Sequence, residues 1–289
     1  MIADPAAFAW LLLVTQLLIF GTAAFTLISA DPAPSASVAF HRRLVGAWRA
    51  LAIALLVISP LAFMDIACGM AQMCWSQVLP LLPEILRETD AGRVWVWRLV
   101  VAAILPAVAW IPVRARTTAI AMLALTAVLM MLASITSHAI DIGHFAIAVY
   151  FVHQACAGLW IGALAVLMLG CIDKPGRADW IRAVTPRVSS LAAYAVGILT
   201  LTGLYNAYER IGFDLHLMID ALYGRTLLWK LATFGVILVF AAYNRFRIVS
   251  RLDDSSAREI LIRNVAAECV LLAVVLGWSA LLANTPPPH

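Results

Sequence analysis

The sequence predicts an all-α bundle of membrane-spanning helices. Of the 289 residues, 64% are hydrophobic and 12% are charged, whereas soluble domains are about half apolar and about a quarter charged. The apolar residues fall into eight segments, each close to the roughly 20 residues that a helix needs to cross a bilayer. A membrane β-barrel would instead show strands of about ten alternating residues. The composition therefore favours a helical membrane protein over a soluble domain or a barrel.

The eight segments follow one another along the whole chain. They cover residues 6–29, 47–67, 93–112, 118–139, 145–170, 187–208, 222–244 and 261–283. The first segment is not preceded by the basic residues that open a cleaved signal peptide, so we expect it to remain in the mature protein. We expect residues 1–289 to form a single membrane domain.

Lysine and arginine residues predict the orientation of the bundle. If the N-terminus lies outside the cytoplasm, the inner loops hold Arg42, Arg43, Arg49, Arg114, Arg116, Lys174, Arg177, Arg182, Arg187, Arg245, Arg247, Arg251, Arg258 and Arg263. Only the other six of the 20 lysine and arginine residues then fall on the outer side or within the membrane. Basic residues concentrate in cytoplasmic loops. We therefore expect both termini to face the periplasm or exterior.

The stretch from Ser134 to Gly162 carries three histidines, His138, His144 and His153, at the junction of the fourth and fifth segments. An ionisable residue inside a membrane usually marks a functional site. His153 lies about 12 Å from the start of its segment at 1.5 Å per residue. On the predicted topology, all three histidines are at or near the outer face.

A second group of metal-binding residue types follows the second segment, on the same predicted face. It consists of Met64, Asp65, Cys68, Met70, Met73 and Cys74. Thioether, thiolate and imidazole ligands suit copper, particularly Cu(I), better than Mg²⁺ or Ca²⁺. Three structural interpretations compete: the methionines fill gaps in the core, Cys68 and Cys74 form a disulfide, and His144 is a solvated loop residue.

Helical spacing places several of these residues on shared faces. In the fifth segment, the face consists of Tyr150, His153, Ala157, Trp160 and Leu164. In the fourth segment, Ser134 and His138 share a face. If the two faces meet, His138 and His153 line one cleft that descends from the outer surface. Gly158 and Gly162 form a GxxxG motif, which permits close approach to a neighbouring helix.

Short motifs along nearly the whole chain match one family. They are Ser-His-Ala around His138, HQACAGLWIGAL from His153 to Leu164, AGRVWVWR at 91–98, TGLYNA at 202–207, YGRTLLWKLA at 223–232, NRFRIVSRL at 244–252, Glu268, and the prolines at 286–288. This combination resembles the copper resistance D (CopD) family of bacterial inner-membrane proteins. The resemblance implies copper handling at the inner membrane, usually uptake from the periplasm into the cytoplasm. It also implies a periplasmic copper-binding partner of the CopC type, here a separate chain.

The resemblance makes His138 and His153 the predicted core ligands of the copper ion. His144 and the group after the second segment are the further candidates, with Met64, Met70 and Met73 as a first binding site for incoming copper. The chain has no Walker-type phosphate loop, so we expect neither ATP hydrolysis within it nor an enzyme.

The chain departs from the family pattern at two positions. Ala163 replaces the second glycine of the motif in the fifth segment. Tyr150 stands where many relatives carry an acidic or polar residue, three positions before the second histidine. Asp141 and Asp65 are the candidate replacements for that carboxylate.

Two further expectations concern the interior of the bundle. Lys230 and Glu268 lie within apolar segments, so each should face the interior and have a partner there. A membrane cytochrome b that holds haem between His138 and His153 is the competing function.

Overall fold

Eight long helices form the bundle. The computed structural model describes residues 5–28, 38–112, 114–137, 139–172, 176–212 and 214–285. Within these ranges, eight helices are long and apolar enough to cross a membrane, and there is no strand. They are α1 (Pro5–Ile28), α2 (Val38–Ala71), α3 (Asp90–Trp110), α4 (Ala115–Ile135), α5 (His144–Gly170), α6 (Arg177–Ile211), α7 (Leu222–Tyr243) and α8 (Ser255–Ala283). The predicted fold class is confirmed.

The connections between the long helices contain short helical turns. They are Trp75–Val78, Leu79–Leu81, Leu82–Glu88, Ala139–Ile142 and Leu215–Asp220. After α7 the chain continues as a π-helix, Asn244–Ile248, and a 3₁₀ turn, Val249–Arg251.

Two helices extend well beyond the apolar segments that predicted them. The apolar segment at 47–67 lies within α2, and the segment at 187–208 lies within α6. The additional turns at the start of each helix carry arginines. These charged residues lower the mean hydropathy, so the turns fall outside the predicted apolar segments. Prolines inside α2, α3 and α6 end none of these helices, as is common in membrane bundles.

The arginine-rich starts of α2, α6 and α8 lie together at one end of the bundle, which we call the basic end. The rings of Phe40 in α2 and Trp180 in α6 pack with their centroids 4.6 Å apart. Arg182 in α6 forms an ion pair of 3.8 Å with Asp253, just before α8. The positive-inside rule predicts that this end faces the cytoplasm.

The loop after α2 and the start of α5 lie at the opposite end. Phe8, near the start of α1, packs against Trp75 in that loop with ring centroids 6.3 Å apart. Phe145, at the start of α5, packs edge-on against Tyr205 in α6 at 5.4 Å. The two groups of candidate ligands are therefore both associated with the end opposite the basic end.

Helix α5 is the central element, because it packs against both α1 and α6. Its two motif glycines meet Gly21 of α1. A Cβ on Gly21 would overlap the carbonyl oxygen of Gly158, and a Cβ on Gly162 would overlap the backbone of Gly21. The expected close approach at the GxxxG motif is confirmed, with α1 as the neighbour. Trp160 is buried on the same helix.

Candidate metal site

His153 is half-buried in α5 and faces α6. Its Nδ1 lies 3.0 Å from Oγ1 of Thr202, and a Cβ on Gly203 would lie 3.2 Å from its Cε1. Oγ1 of Thr202 also lies 2.8 Å from the carbonyl oxygen of Ile198 and 3.1 Å from that of Leu199. When the hydroxyl group donates its single hydrogen to one of these carbonyls, its oxygen accepts from His153 and the imidazole proton is on Nδ1. The other ring nitrogen, Nε2, then has a free lone pair, the form in which histidine binds metals.

The charged groups around His153 are cations. The ammonium group of Lys230 in α7 is close enough to act on the imidazole electrostatically. One turn away on α5, Tyr150 interacts in the same way with Arg98 and Arg210. Within the described ranges, no carboxylate lies within ion-pair distance of Lys230. The environment of His153 is thus neutral or positive rather than acidic.

The end of α4 is fixed against α5 beside His153. Ser134 is fully buried, donates to the carbonyl oxygen of Met130 at 2.8 Å, and accepts from Nε2 of Gln154 at 3.1 Å. Helices α4 and α5 therefore meet here through Gln154, which does not belong to the predicted face of α5, whereas His153 faces α6. His138 lies outside the described residues, and its pairing with His153 stays a prediction.

The loop after α2 begins with a left-handed residue. Gln72 has φ of +56°, and the next amide, Met73 N–H, donates to the carbonyl oxygen of Cys68 at 3.1 Å. This is the hydrogen bond that closes a helix in a Schellman motif. It turns the chain back so that the residues after α2 lie over its last turns.

The candidate ligands of this loop differ in exposure. Met64 and Cys68 are half-buried, Asp65 is only 6% exposed, and Met70, Met73 and Cys74 are exposed. Asp65 accepts at Oδ1 from the indole Nε1 of Trp75, at 2.9 Å. That hydrogen bond ties the buried carboxylate of α2 to the loop.

Cys68 and Cys74 are both free thiols in the structure. They are near enough to interact electrostatically. The Cys74 Sγ lies 3.2 Å from Ser76 Oγ and donates to Gln77 Oε1, also at 3.2 Å. The hydrogen bond with Ser76 lowers the pKa of the Cys74 thiol, which favours the thiolate form that binds copper.

The two groups of ligands have separate contacts. His153 contacts α6 and lies near Lys230, whereas the hydrogen bonds of Asp65 and Cys74 described above stay within residues 65–77. His144 and Asp141 are exposed near the start of α5. In the part of the chain that the structure describes, no three His, Cys, Asp or Glu side chains come together as a set of metal ligands. The structure thus gives the surroundings of His153 and no second metal ligand beside it among the described residues.

Two family models match the chain. Residues 5–144 match the model described as "Copper resistance protein D-like, N-terminal domain", and residues 182–282 match "Copper resistance protein D". No solved structure matches the chain significantly.

Three relatives match over most of this chain. Copper resistance protein D of Pseudomonas syringae pv. tomato is 26% identical over 98% of this chain and 97% of its own length. Inner membrane protein YebZ of Escherichia coli (strain K12) is 27% identical over 80% and 81%. Copper transport protein CutJ of Bacillus subtilis (strain 168) is 27% identical over 86% of this chain, but over only 46% of its own length.

Proposed function

The chain belongs to the copper resistance protein D family, and on this basis we propose that it carries copper across the inner membrane from the periplasm to the cytoplasm. Its copper-related function and its place as a multi-pass inner-membrane protein follow from the family and from the eight spanning helices. The direction of movement and the ligands are our proposal. We propose a transporter rather than an enzyme, with the copper ion as its cargo.

The orientation of His153 is the observation that carries this proposal. Nδ1 of His153 lies within hydrogen-bonding distance of the Thr202 hydroxyl group. When Thr202 accepts from Nδ1, Nε2 has a free lone pair for a metal ion. A hydrogen bond to the second ring nitrogen is the usual support of a metal-binding histidine. His138 is the proposed second ligand because it is the other histidine of the family motif.

The exposed loop after α2 supports a first contact with incoming copper. Met70 and Met73 present thioethers at the surface, and Cys74 is an exposed thiol whose pKa is lowered by its hydrogen bond with Ser76. Soft sulfur ligands favour Cu(I). We propose that a periplasmic copper-binding protein of the CopC type delivers copper to this surface, and that Met64, Asp65 and Cys68 lie on the way inward.

Copper uptake into proteoliposomes tests the proposal directly. The purified protein is inserted with its basic end facing the lumen, and Cu(I) is supplied outside with a copper-sensitive dye inside. Copper should enter vesicles that contain the protein, and not protein-free vesicles or vesicles that contain His153→Ala. If copper does not enter but leaves vesicles that were loaded with copper, the proposed direction is contradicted. If copper moves in neither direction, transport itself is contradicted.

A further inference from the structure

A buried carboxyl group near the basic end has no role in the copper site described above. Glu268 lies on α8 and is 2% exposed. Its Oε1 accepts from Nδ2 of Asn244 at 2.7 Å, and Oδ1 of Asn244 accepts from Nδ2 of Asn264 at 2.7 Å. The sequence led us to expect a partner for Glu268 within the bundle, and the structure supplies an amide rather than Lys230.

The backbone at Asn244 is altered where this chain of hydrogen bonds begins. Asn244 is the first residue of the π-helix Asn244–Ile248, and its side chain is buried. A π-helical turn adds a residue to the turn of an α-helix and is frequent at functional sites. It allows the side chain of Asn244 to bond two positions of α8, Asn264 and Glu268, that lie one turn apart.

A cavity opens beside this network. Its volume is about 380 Å³, and it is lined by Phe240, Ile260, Arg263, Asn264 and Ala267. A water molecule occupies about 30 Å³ in the liquid, so the cavity has room for on the order of ten waters. Asn264 belongs both to the cavity wall and to the hydrogen-bonded chain, and thus connects the cavity with the buried carboxyl group.

In the part of the chain that the structure describes, Glu268 forms no ion pair. Its nearest ionisable neighbour on α8 is Cys269, and Arg263 faces the cavity. A carboxylate without a cationic partner is costly in an apolar interior, and protonation removes that cost.

The elements packed against α8 add few charged groups. Helix α1 has no ionisable side chain. On α7, Tyr243 directly precedes Asn244 and is exposed, whereas Lys230 lies about four turns of helix before Asn244, with Tyr223 and Arg225 farther still. The π-helix carries Arg245 and Arg247, which are exposed, and the ionisable groups of α5 are His144, Tyr150, His153 and Cys156.

We propose that Glu268, together with Asn244 and Asn264, forms a proton-binding site that exchanges protons with the basic side of the membrane through this cavity, and that copper movement is coupled to it. Glu268 does not line the cavity, so a hydronium ion must pass Asn264 to reach Oε2 of the carboxylate. There an O–H bond of the hydronium ion breaks, an O–H bond forms at Oε2, and water remains. Release is the reverse step. The coupling rests on the proposed transport of copper, whereas the proton site itself does not.

Infrared difference spectroscopy tests the proton site without copper. Spectra of the purified protein in lipid nanodiscs are recorded at about pH 5 and at about pH 8 and subtracted, because burial in an apolar interior moves the titration of carboxyl groups up toward neutral pH. The carbonyl band of a protonated carboxyl group should disappear as the pH rises, and Glu268→Gln should lack that band. Glu259→Gln is the matched control, because Glu259 is an exposed glutamate on the same helix. A band that survives in Glu268→Gln would overturn the proposal.

Folding of the variant is checked independently. Glutamine keeps the carbonyl oxygen that accepts from Asn244, so Glu268→Gln should elute like the unaltered protein in size-exclusion chromatography. If it does not, Asn264→Leu serves instead, because it removes the link to the cavity and leaves the carboxyl group in place. The infrared band should then titrate at a different pH. An unchanged titration would overturn the role of Asn264 and the cavity.

Copper uptake tests the coupling. In proteoliposomes, the rate should change with the pH at the basic end as one group titrates, and Glu268→Gln should make the rate independent of that pH. Uptake that keeps its pH dependence in Glu268→Gln would overturn the coupling. If the unaltered protein moves no copper while the infrared band titrates, the transport proposal and the coupling both fail and the proton site stands.

Discussion

At the scale of single residues, His153 depends on a helix other than its own. The sequence identifies the histidine, because an imidazole in an apolar segment is unusual. It does not identify Thr202, which is 49 residues away and belongs to a motif that the family resemblance supplied without a role. Gln154 and its bond to Ser134 were missed for the same reason. Such contacts depend on how each helix is rotated about its axis, and that rotation is decided by packing between helices.

Removing the hydroxyl group of Thr202 should weaken copper binding. In Thr202→Val, Nδ1 of His153 loses its acceptor, so the proton can move to Nε2 and block the lone pair. Loss of such a supporting group typically costs about 10- to 100-fold in metal affinity. Competition with a coloured Cu(I) chelator measures the affinity. Thr202→Ser should retain it, and so should Thr200→Val, which removes an exposed hydroxyl group from the same helix. Equal affinities in all three variants would refute the role of Thr202.

The cation near His153 should oppose copper binding. Lys230 acts on the imidazole electrostatically, and two like unit charges about 8 Å apart repel each other by on the order of 2 kcal/mol at an effective dielectric constant of about 20. Lys230→Met keeps the length and apolar stem of the side chain and removes the charge. We expect it to tighten copper binding at least tenfold in the same competition assay. Weaker binding in this variant would mean that Lys230 supports the site.

At the scale of helices, hydropathy predicts where the membrane segments lie and misses the turns that extend beyond the membrane. The apolar segments predicted at 47–67 and 187–208 lie inside helices that begin earlier, at Val38 and Arg177. The sequence also indicates that α5 approaches a neighbour closely, through Gly158 and Gly162, without identifying it as α1. A GxxxG motif shows where a helix is narrow, and the shape of the partner decides which helix fits there.

A methyl group at the contact of α1 and α5 should destabilise the bundle. In Gly162→Ala, the added Cβ overlaps the backbone of Gly21, so the two helices must separate, and overpacking typically costs about 1–3 kcal/mol. We expect a lower melting temperature in a fixed detergent. The matched control is Gly197→Ala on α6, where an added Cβ meets nothing within 4 Å. There alanine should be neutral or stabilising, because it favours helix over glycine. Equal melting temperatures would contradict the close packing of α1 on α5.

At the scale of the whole molecule, the composition and spans predict the fold class, and the combination of motifs predicts the family; both are confirmed. The orientation in the membrane depends on charges, because a helical bundle has the same internal contacts whichever way it is inserted. The basic end is a structural observation, since Phe40, Trp180 and the Arg182–Asp253 pair bring three helix starts together. Its assignment to the cytoplasm is a prediction of the positive-inside rule.

Reporter fusions test that orientation. A fusion after Ser250, at the basic end, should be active as a cytoplasmic reporter, and a fusion at the C-terminus should be active as a periplasmic one. Alkaline phosphatase and green fluorescent protein, which are active on opposite sides of the membrane, provide the paired readout. Periplasmic activity after Ser250 would place His153 and the loop after α2 on the cytoplasmic side and reverse the proposed direction of transport.

Copper content of the purified protein tests the central claim, that His153 binds the ion, most directly. The unaltered protein and His153→Ala are loaded with Cu(I), freed of excess metal, and analysed for copper, with a visible spectrum recorded on the same samples. His216→Ala is the matched control, because His216 is exposed at the same end of the bundle. We expect the control to keep its copper and His153→Ala to lose most of its copper, with no haem absorption in any sample. Loss of a ligand should cost at least the roughly 10- to 100-fold in metal affinity that loss of its supporting hydrogen bond costs. Full copper occupancy in a folded His153→Ala protein, or a haem band that disappears with that substitution, would contradict the claim.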